Sequence, residues 1–265
     1  MKKISHGGNI YKKAKEMGIQ EEDILDFSAN ISPLGLPEHI RKAMIEAIDG
    51  TINYPDPDCS RLKEAISKQD NVPESHITCG NGGADLLYRL AFGLHPKKVL
   101  LPAPAFVEYE EALSAAGAQM EYYLMRDDFV IKEDILEQIT EETDFVVICN
   151  PNNPTGILTE KELILRVLER AKETNTFVMA DECFLEICQN ESEYTVKPFI
   201  EKYENLIILK SFTKLYAIPG VRLGYILAGS EDVIAKVNRT GQAWSVSHIA
   251  QCAGVAALSD NVYKE

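Results

Sequence analysis

The sequence has no Cys-x-x-Cys pair, no His-Glu-x-x-His and no Gly-x-Gly-x-x-Gly after its first parallel strand, and each gap removes a class of chemistry. Without the Cys pair, a thioredoxin-like dithiol or zinc ribbon has no support. The six cysteines, several of them in apolar runs such as "FVVICN", read as buried free thiols of a protein from a reducing compartment. The five histidines show no ligand spacing, so no metal site is expected. The missing glycine motif argues against a nicotinamide oxidoreductase, since "LLPAPAF" stands where that motif belongs. Positive charge is also scarce. Lys and Arg number 27 against 41 Asp and Glu, a net charge of -14, which leaves no basic stripe for nucleic acid or an anionic membrane. No apolar run approaches the roughly 20 residues of a membrane span. The opening "MKKISHGGNIYKK" turns polar where a signal peptide needs an apolar stretch. A soluble, cytoplasmic protein acting on small molecules or on protein partners is the expectation.

What is present is a β-α-β rhythm. With 265 residues, 45% of them hydrophobic, the chain has ample material for a core. From about residue 96, short apolar runs at 97–101, 120–125, 145–149, 177–181, 206–210 and 223–228 predict strands. Those without alternation, such as "FVVIC" and "LIILK", predict strands covered on both faces. Amphipathic stretches predict helices at 84–94, 106–117, 160–174 with Thr159 as N-cap, 231–239 and 247–263. Only a dozen residues separate the last two strands, too few for a crossover helix, so that pair is expected to be antiparallel. The first eighty residues read as an arm, with Pro-rich extended pieces around short helices at 37–49 and 59–69.

In a doubly wound sheet, ligands collect beyond the carboxyl ends of the strands. Four segments there carry chemistry: "CGNGGAD" (79–85), "NPNNPTG" (150–156), Asp181-Glu182 and "SFTK" (211–214). Each alone reads as turn, cap or solvated strand end. Together they sort by charge. Gly82, Gly83 and Ala84 at a helix start offer backbone N–H groups and a favourable dipole to an anion. Arg222 adds a guanidinium, and Ser211 and Thr213 add hydroxyls. Asp181 suits a protonated ring nitrogen, Asn153 a phenolic oxygen, and Lys214 an aldehyde, if burial and a neighbouring cation lower its pKa. Phosphate, pyridinium, phenolate and aldehyde describe pyridoxal phosphate.

The set "NPNNPTG", "ADE", "SFTK" and "PGVRLG" resembles the fold-type I pyridoxal-phosphate aminotransferase superfamily across essentially the whole chain. The resemblance implies an α/β fold, the mostly parallel doubly wound sheet of that large domain. It divides the chain into an N-terminal arm with part of a small domain (1–50) and a cofactor-binding domain (51–265), short of the family's C-terminal small domain. It implies that Lys214 forms the imine, Asp181 pairs with the pyridinium, Asn153 donates to the ring oxygen and Arg222 holds the phosphate. Phe106 in "PAPAF" would stack on the ring, and Tyr54 in "NYPDPD" would reach the phosphate of a neighbouring subunit, which makes a homodimer. One position departs from the family: where a tyrosine commonly follows Asp-Glu-x, this chain has Phe184.

The arm bears on the reaction. "HGGNIYKKA" with "LDFSANISPLGLP" resembles the threonine-phosphate decarboxylases of cobalamin biosynthesis, relatives of the histidinol-phosphate aminotransferases. By that resemblance His6, Gly7 and Asn30 bind a small phosphorylated amino acid together with Asn153. The expectation is decarboxylation of O-phospho-L-threonine, with histidinol-phosphate or another amino-acid transamination as the alternative. A cofactor-binding fragment without turnover is the reading from outside enzymology, prompted by the absent small domain.

Overall fold

The structure is a computed structural model and describes residues 7–259 and Tyr263. Its strands are β1 (Ile77–Gly80), β2 (Lys98–Ala103), β3 (Gln119–Leu124), β4 (Phe145–Cys149), β5 (Phe177–Asp181), β6 (Leu206–Ser211) and β7 (Gly224–Ala228). Its α-helices are α1 (Ile10–Met17), α2 (Glu38–Glu46), α3 (Ser60–Asp70), α4 (Gly82–Leu94), α5 (Val107–Ala115), α6 (Lys161–Glu173), α7 (Glu191–Tyr194), α8 (Glu231–Thr240) and α9 (His248–Leu258).

The strands form one sheet in the order β1-β7-β6-β5-β4-β2-β3. The pairs from β6 through β5, β4 and β2 to β3 are parallel. Strand β7 runs antiparallel to both β6 and β1, as the short connection after "LIILK" requires. Alternate residues of each strand feed two cores. Val146, Ile148 and Ile208 pack with Leu62, Ile66, Leu163, Val167 and Ala253 on one face. Phe145, Val147, Ile207 and Leu209 pack with Leu86, Leu90, Leu113, Val233 and Val237 on the other. Burial on both faces is why β4 and β6 lack polar alternation. Each fully buried Val, Leu or Ile here contributes roughly 1.5–3 kcal/mol.

Strand β2 lies between β3 and β4, so from it the chain builds outward in both directions. The loops that follow β2 and β4 part there and open a crevice at their carboxyl ends.

Three expectations need correction. Strand β1 was not foreseen: "ITCG" is four residues ending in glycine, and only its pairing with β7 makes it a strand. Thr159 does not cap α6. Glu160 occupies the N-cap without a side-chain bond, while Thr159 donates its N–H to Asn150 Oδ1 and accepts from Asn150 Nδ2. Helix α9 ends at Leu258, where the Ser259 N–H bonds back to the Ala256 carbonyl.

Candidate active site

The site begins at the turn from β1 into α4. Gly82 has φ of +85°, a left-handed conformation natural to glycine, and a Cβ there would lie 2.6 Å from Arg222 Nη2. The missing side chain lets the guanidinium pack onto the first turn of α4. Gly224 is equally constrained, since a Cβ would come 2.9 Å from the Lys210 carbonyl and 3.1 Å from the Gly83 nitrogen. A cation thus rests against the positive end of a helix dipole. Arg222 donates only a long bond, 3.4 Å, to the Pro219 carbonyl, and no carboxylate neutralises it among the described residues. Two positive ends placed together need an anion between them.

At the end of β5 stands Asp181, with both carboxylate oxygens engaged. Tyr109 Oη donates to Oδ2 at 2.6 Å and the Cys183 N–H to Oδ1 at 2.9 Å. Burial, with the Asp181 charge beside it, pushes the Tyr109 phenol well above its usual range, so it remains a donor. Burial likewise pushes up the Cys149 and Cys183 thiols beside the same carboxylate.

Beyond β6, Ser211 and Thr213 share a hydroxyl contact of 2.8 Å, and the Thr213 N–H donates to Ser211 Oγ. That turn presents Lys214. Burial lowers the pKa of its amine and the nearby Arg222 charge lowers it further. Cys183 and the Asp181 carboxylate oppose that shift in part, and the Phe184 ring lies 5.4 Å from Lys214 Nζ. The arm reaches the same turn through the Ser32 N–H, which donates to the Lys214 carbonyl at 3.0 Å.

After β4, Asn150 ties its loop to Thr159, and Asn152 donates to the Pro104 carbonyl and to Thr155 Oγ1. Asn153, beyond them, faces the cavity. That cavity, of about 160 Å³, is lined by Gly83, Ala84, Phe106, Asn153, Asp181, Ser211, Thr213, Lys214 and Arg222 together. Gly82 supports it through Arg222. Tyr54 does not join it within one chain: 80% exposed, it stacks on Trp244 with ring centroids 4.6 Å apart. Gly7 and Asn30 lie exposed on the arm, and His6 lies outside the described residues.

Tyr109, Cys149, Cys183 and Leu87 also line the cavity and escaped sequence reasoning. The spacing of Tyr109, three residues after Phe106 in the first turn of α5, was the available signal.

The pieces fit pyridoxal phosphate: a cationic, glycine-walled anion cradle at one end, a hydrogen-bonded carboxylate at the other, and an amine of lowered pKa between. The sequence matches the family profile "Aminotransferase class I and II" over residues 22–264. It is 36% identical to threonine-phosphate decarboxylase of Salmonella typhimurium over 98% of this chain and 72% of that protein. Histidinol-phosphate aminotransferase 2 of Ralstonia nicotianae is 34% identical over 97% of this chain and 69% of its own length. The crystal structure of the histidinol-phosphate aminotransferase from Clostridium acetobutylicum superposes with a TM-score of 0.85 at 30% identity, over 91% of this chain and 71% of that one. The chain belongs to the aminotransferase class I and II family, enzymes of the fold-type I architecture that work with pyridoxal phosphate.

Proposed function

We propose that the protein decarboxylates O-phospho-L-threonine, releasing CO2 and leaving (R)-1-amino-2-propanol O-2-phosphate for cobalamin biosynthesis. Similarity across 98% of this chain to the Salmonella decarboxylase supports the choice. The observation that carries the site assignment is the meeting of Arg222, the start of α4 and Lys214 around one cavity.

Pyridoxal phosphate, when bound, supplies the electron sink for the pair left by the bond that breaks at the substrate α-carbon. The protein's residues do the rest. Arg222, the N–H groups at the start of α4 and the Ser211 and Thr213 hydroxyls hold the cofactor phosphate. Asp181, kept in place by Tyr109, holds a proton at the ring nitrogen. Asn153 donates to the ring oxygen and Phe106 covers the ring. Lys214 would be the covalent anchor, and its protonated amine or a water would return a proton to the α-carbon. His6, Gly7 and Asn30 grip the substrate phosphate. That remote grip would select which bond at the substrate α-carbon is presented for breaking, so binding energy would be used for orientation.

Tyr54 reaches the phosphate site of a second copy in this reading, the working unit is a homodimer in the cytoplasm, and the boundary between arm and cofactor domain falls near residue 50. The second reading, histidinol-phosphate aminotransferase, draws on the Ralstonia relative and the Clostridium structure. Incubation with pyridoxal phosphate and O-phospho-L-threonine, followed by mass analysis of the products, separates the two. Loss of CO2 with the amino group retained supports the proposal, whereas loss of the amino group with the carboxylate intact supports the alternative.

A further inference from the structure

A second cavity, of about 320 Å³, shares no lining residue with the first. Cys59, Lys63, Thr78, Cys79, Arg89 and Asn238 are among its walls. Both thiols are free and buried, both line this cavity, and each shifts the pKa of the other. Cys59 is the N-cap of α3, an eleven-residue helix, and Cys79 is the third residue of β1, on which α3 packs. The fold therefore brings two thiols twenty positions apart in sequence to the wall of one cavity.

The surroundings divide the labour between them. Cys59 stands at the positive end of the α3 dipole; one turn on, the backbone N–H of Lys63 donates to the Cys59 carbonyl at 2.8 Å, and Lys63 lines the same cavity. A helix N-terminus and a nearby cation are what favour a thiolate. Asp56 opposes them: its carboxylate accepts the Ser60 and Asp58 N–H groups at 2.7 and 3.0 Å. The net effect on Cys59 is a lowered pKa, caused first by the neighbouring Cys79 thiol, with Lys63 and Arg89 adding to it against burial and Asp56. Cys79, buried like Cys59, is pushed well above the usual thiol range by the neighbouring Cys59 thiol and by burial. Arg89 fixes the Cys79 segment, donating to the Cys79 carbonyl at 3.0 Å and to Asn238 Oδ1 at 3.1 Å.

We propose that Cys59 and Cys79 form a redox modification site, a dithiol that a small hydroperoxide entering this cavity converts to an intramolecular disulfide. The Cys59 thiolate attacks one peroxide oxygen, the O–O bond breaks, and hydroxide leaves with Cys59 as a sulfenic acid. The Cys79 sulfur then attacks the Cys59 sulfur, the S–O bond breaks, and the Cys79 proton leaves with the hydroxyl as water. Sulfur loses two electrons in all and the peroxide gains them. The cross-link ties the first turn of α3 to the strand that leads into Gly82, within reach of the anion cradle but outside it.

The test treats the whole chain with graded hydrogen peroxide, alkylates the remaining thiols, and maps peptides without reduction. A Cys59–Cys79 linked peptide is expected to appear before Cys188 or Cys252 is modified, and to vanish with dithiothreitol. In Cys79→Ser, Cys59 is expected to accumulate as a sulfenic acid that dimedone captures; in Cys59→Ser, position 79 stays a free thiol. Cys59 and Cys79 both remaining alkylatable while the other thiols oxidise would overturn the proposal, as would a linked peptide of any other pair.

Discussion

At the scale of single residues, the site trades stability for chemistry. Burial and Arg222 lower the Lys214 pKa below its ordinary 10.5, so the amine is less at ease charged in the folded chain than in the unfolded one. A lysine whose folded pKa is depressed destabilises below that pKa, and the penalty fades as pH rises towards the unfolded value. Lys214→Met in the cofactor-free protein is therefore expected to melt higher than the parent near pH 7, with the gap narrowing towards pH 10. Thermal scans across that range check it, and a lower melting point at pH 7 would contradict it. Tyr109 gives a second residue-level expectation. Its hydroxyl is a 2.6 Å donor to a buried carboxylate, and such charge-assisted bonds contribute about 1.5–3 kcal/mol. Tyr109→Phe should weaken pyridoxal phosphate binding by roughly tenfold or more, measured as Kd by titration, because Asp181 loses the bond that aims it. Gly82→Ala should weaken it comparably, since the new methyl group meets Arg222 Nη2 and requires a strained positive φ.

Among elements, the ends of β5 and β6 are joined behind the site by a buried charge cluster. Lys210, 1% exposed, has Glu191, Glu186 and Glu182 at 3.6, 3.7 and 4.0 Å. Glu182 in turn accepts from Thr195 Oγ1 and the Val196 N–H. Lys210 precedes Ser211 and Glu182 follows Asp181, so this cluster sits one residue from two walls of the cavity. Removing one partner of a buried pair costs about 3–5 kcal/mol. Lys210→Met should lower the unfolding free energy by that order in urea titration, and Lys210→Met with Glu182→Gln should recover part of the loss.

What the sequence disclosed follows from the same physics. Strands β4 and β6 were legible because complete burial leaves an unbroken apolar run. Strand β1 was not, because its strand character comes from pairing with β7 rather than from its own four residues. Thr159 suits an N-cap by type, but Asn150 engages it across the loop, a contact that no local rule contains. The charge-sorted residues at strand ends were legible by motif. Their buried supports Tyr109 and Lys210 were not, since each reads locally as an ordinary side chain of a helix or strand.

For the molecule as a whole, the apolar surface near the arm bears on assembly. Leu34, Ile48, Ile52 and Tyr54 are exposed, Ile52 at 87%, and apolar side chains so near one another in sequence commonly mark a contact surface. Sedimentation should find two chains per particle, and Ile52→Asp should shift the distribution towards one. A monomeric parent at micromolar concentration would contradict the dimer. The anion cradle is cationic within a chain of net charge -14, so cofactor binding should depend on Arg222 locally rather than on any general field. The central claim is that Lys214 anchors pyridoxal phosphate in the cavity at the carboxyl ends of the strands. The most direct measurement titrates the purified chain with the cofactor, follows visible absorbance, reduces with borohydride and maps the labelled peptide. A saturable band with the label on Lys214 is the expected result. No band in a folded chain, or a label on another lysine, would contradict the account.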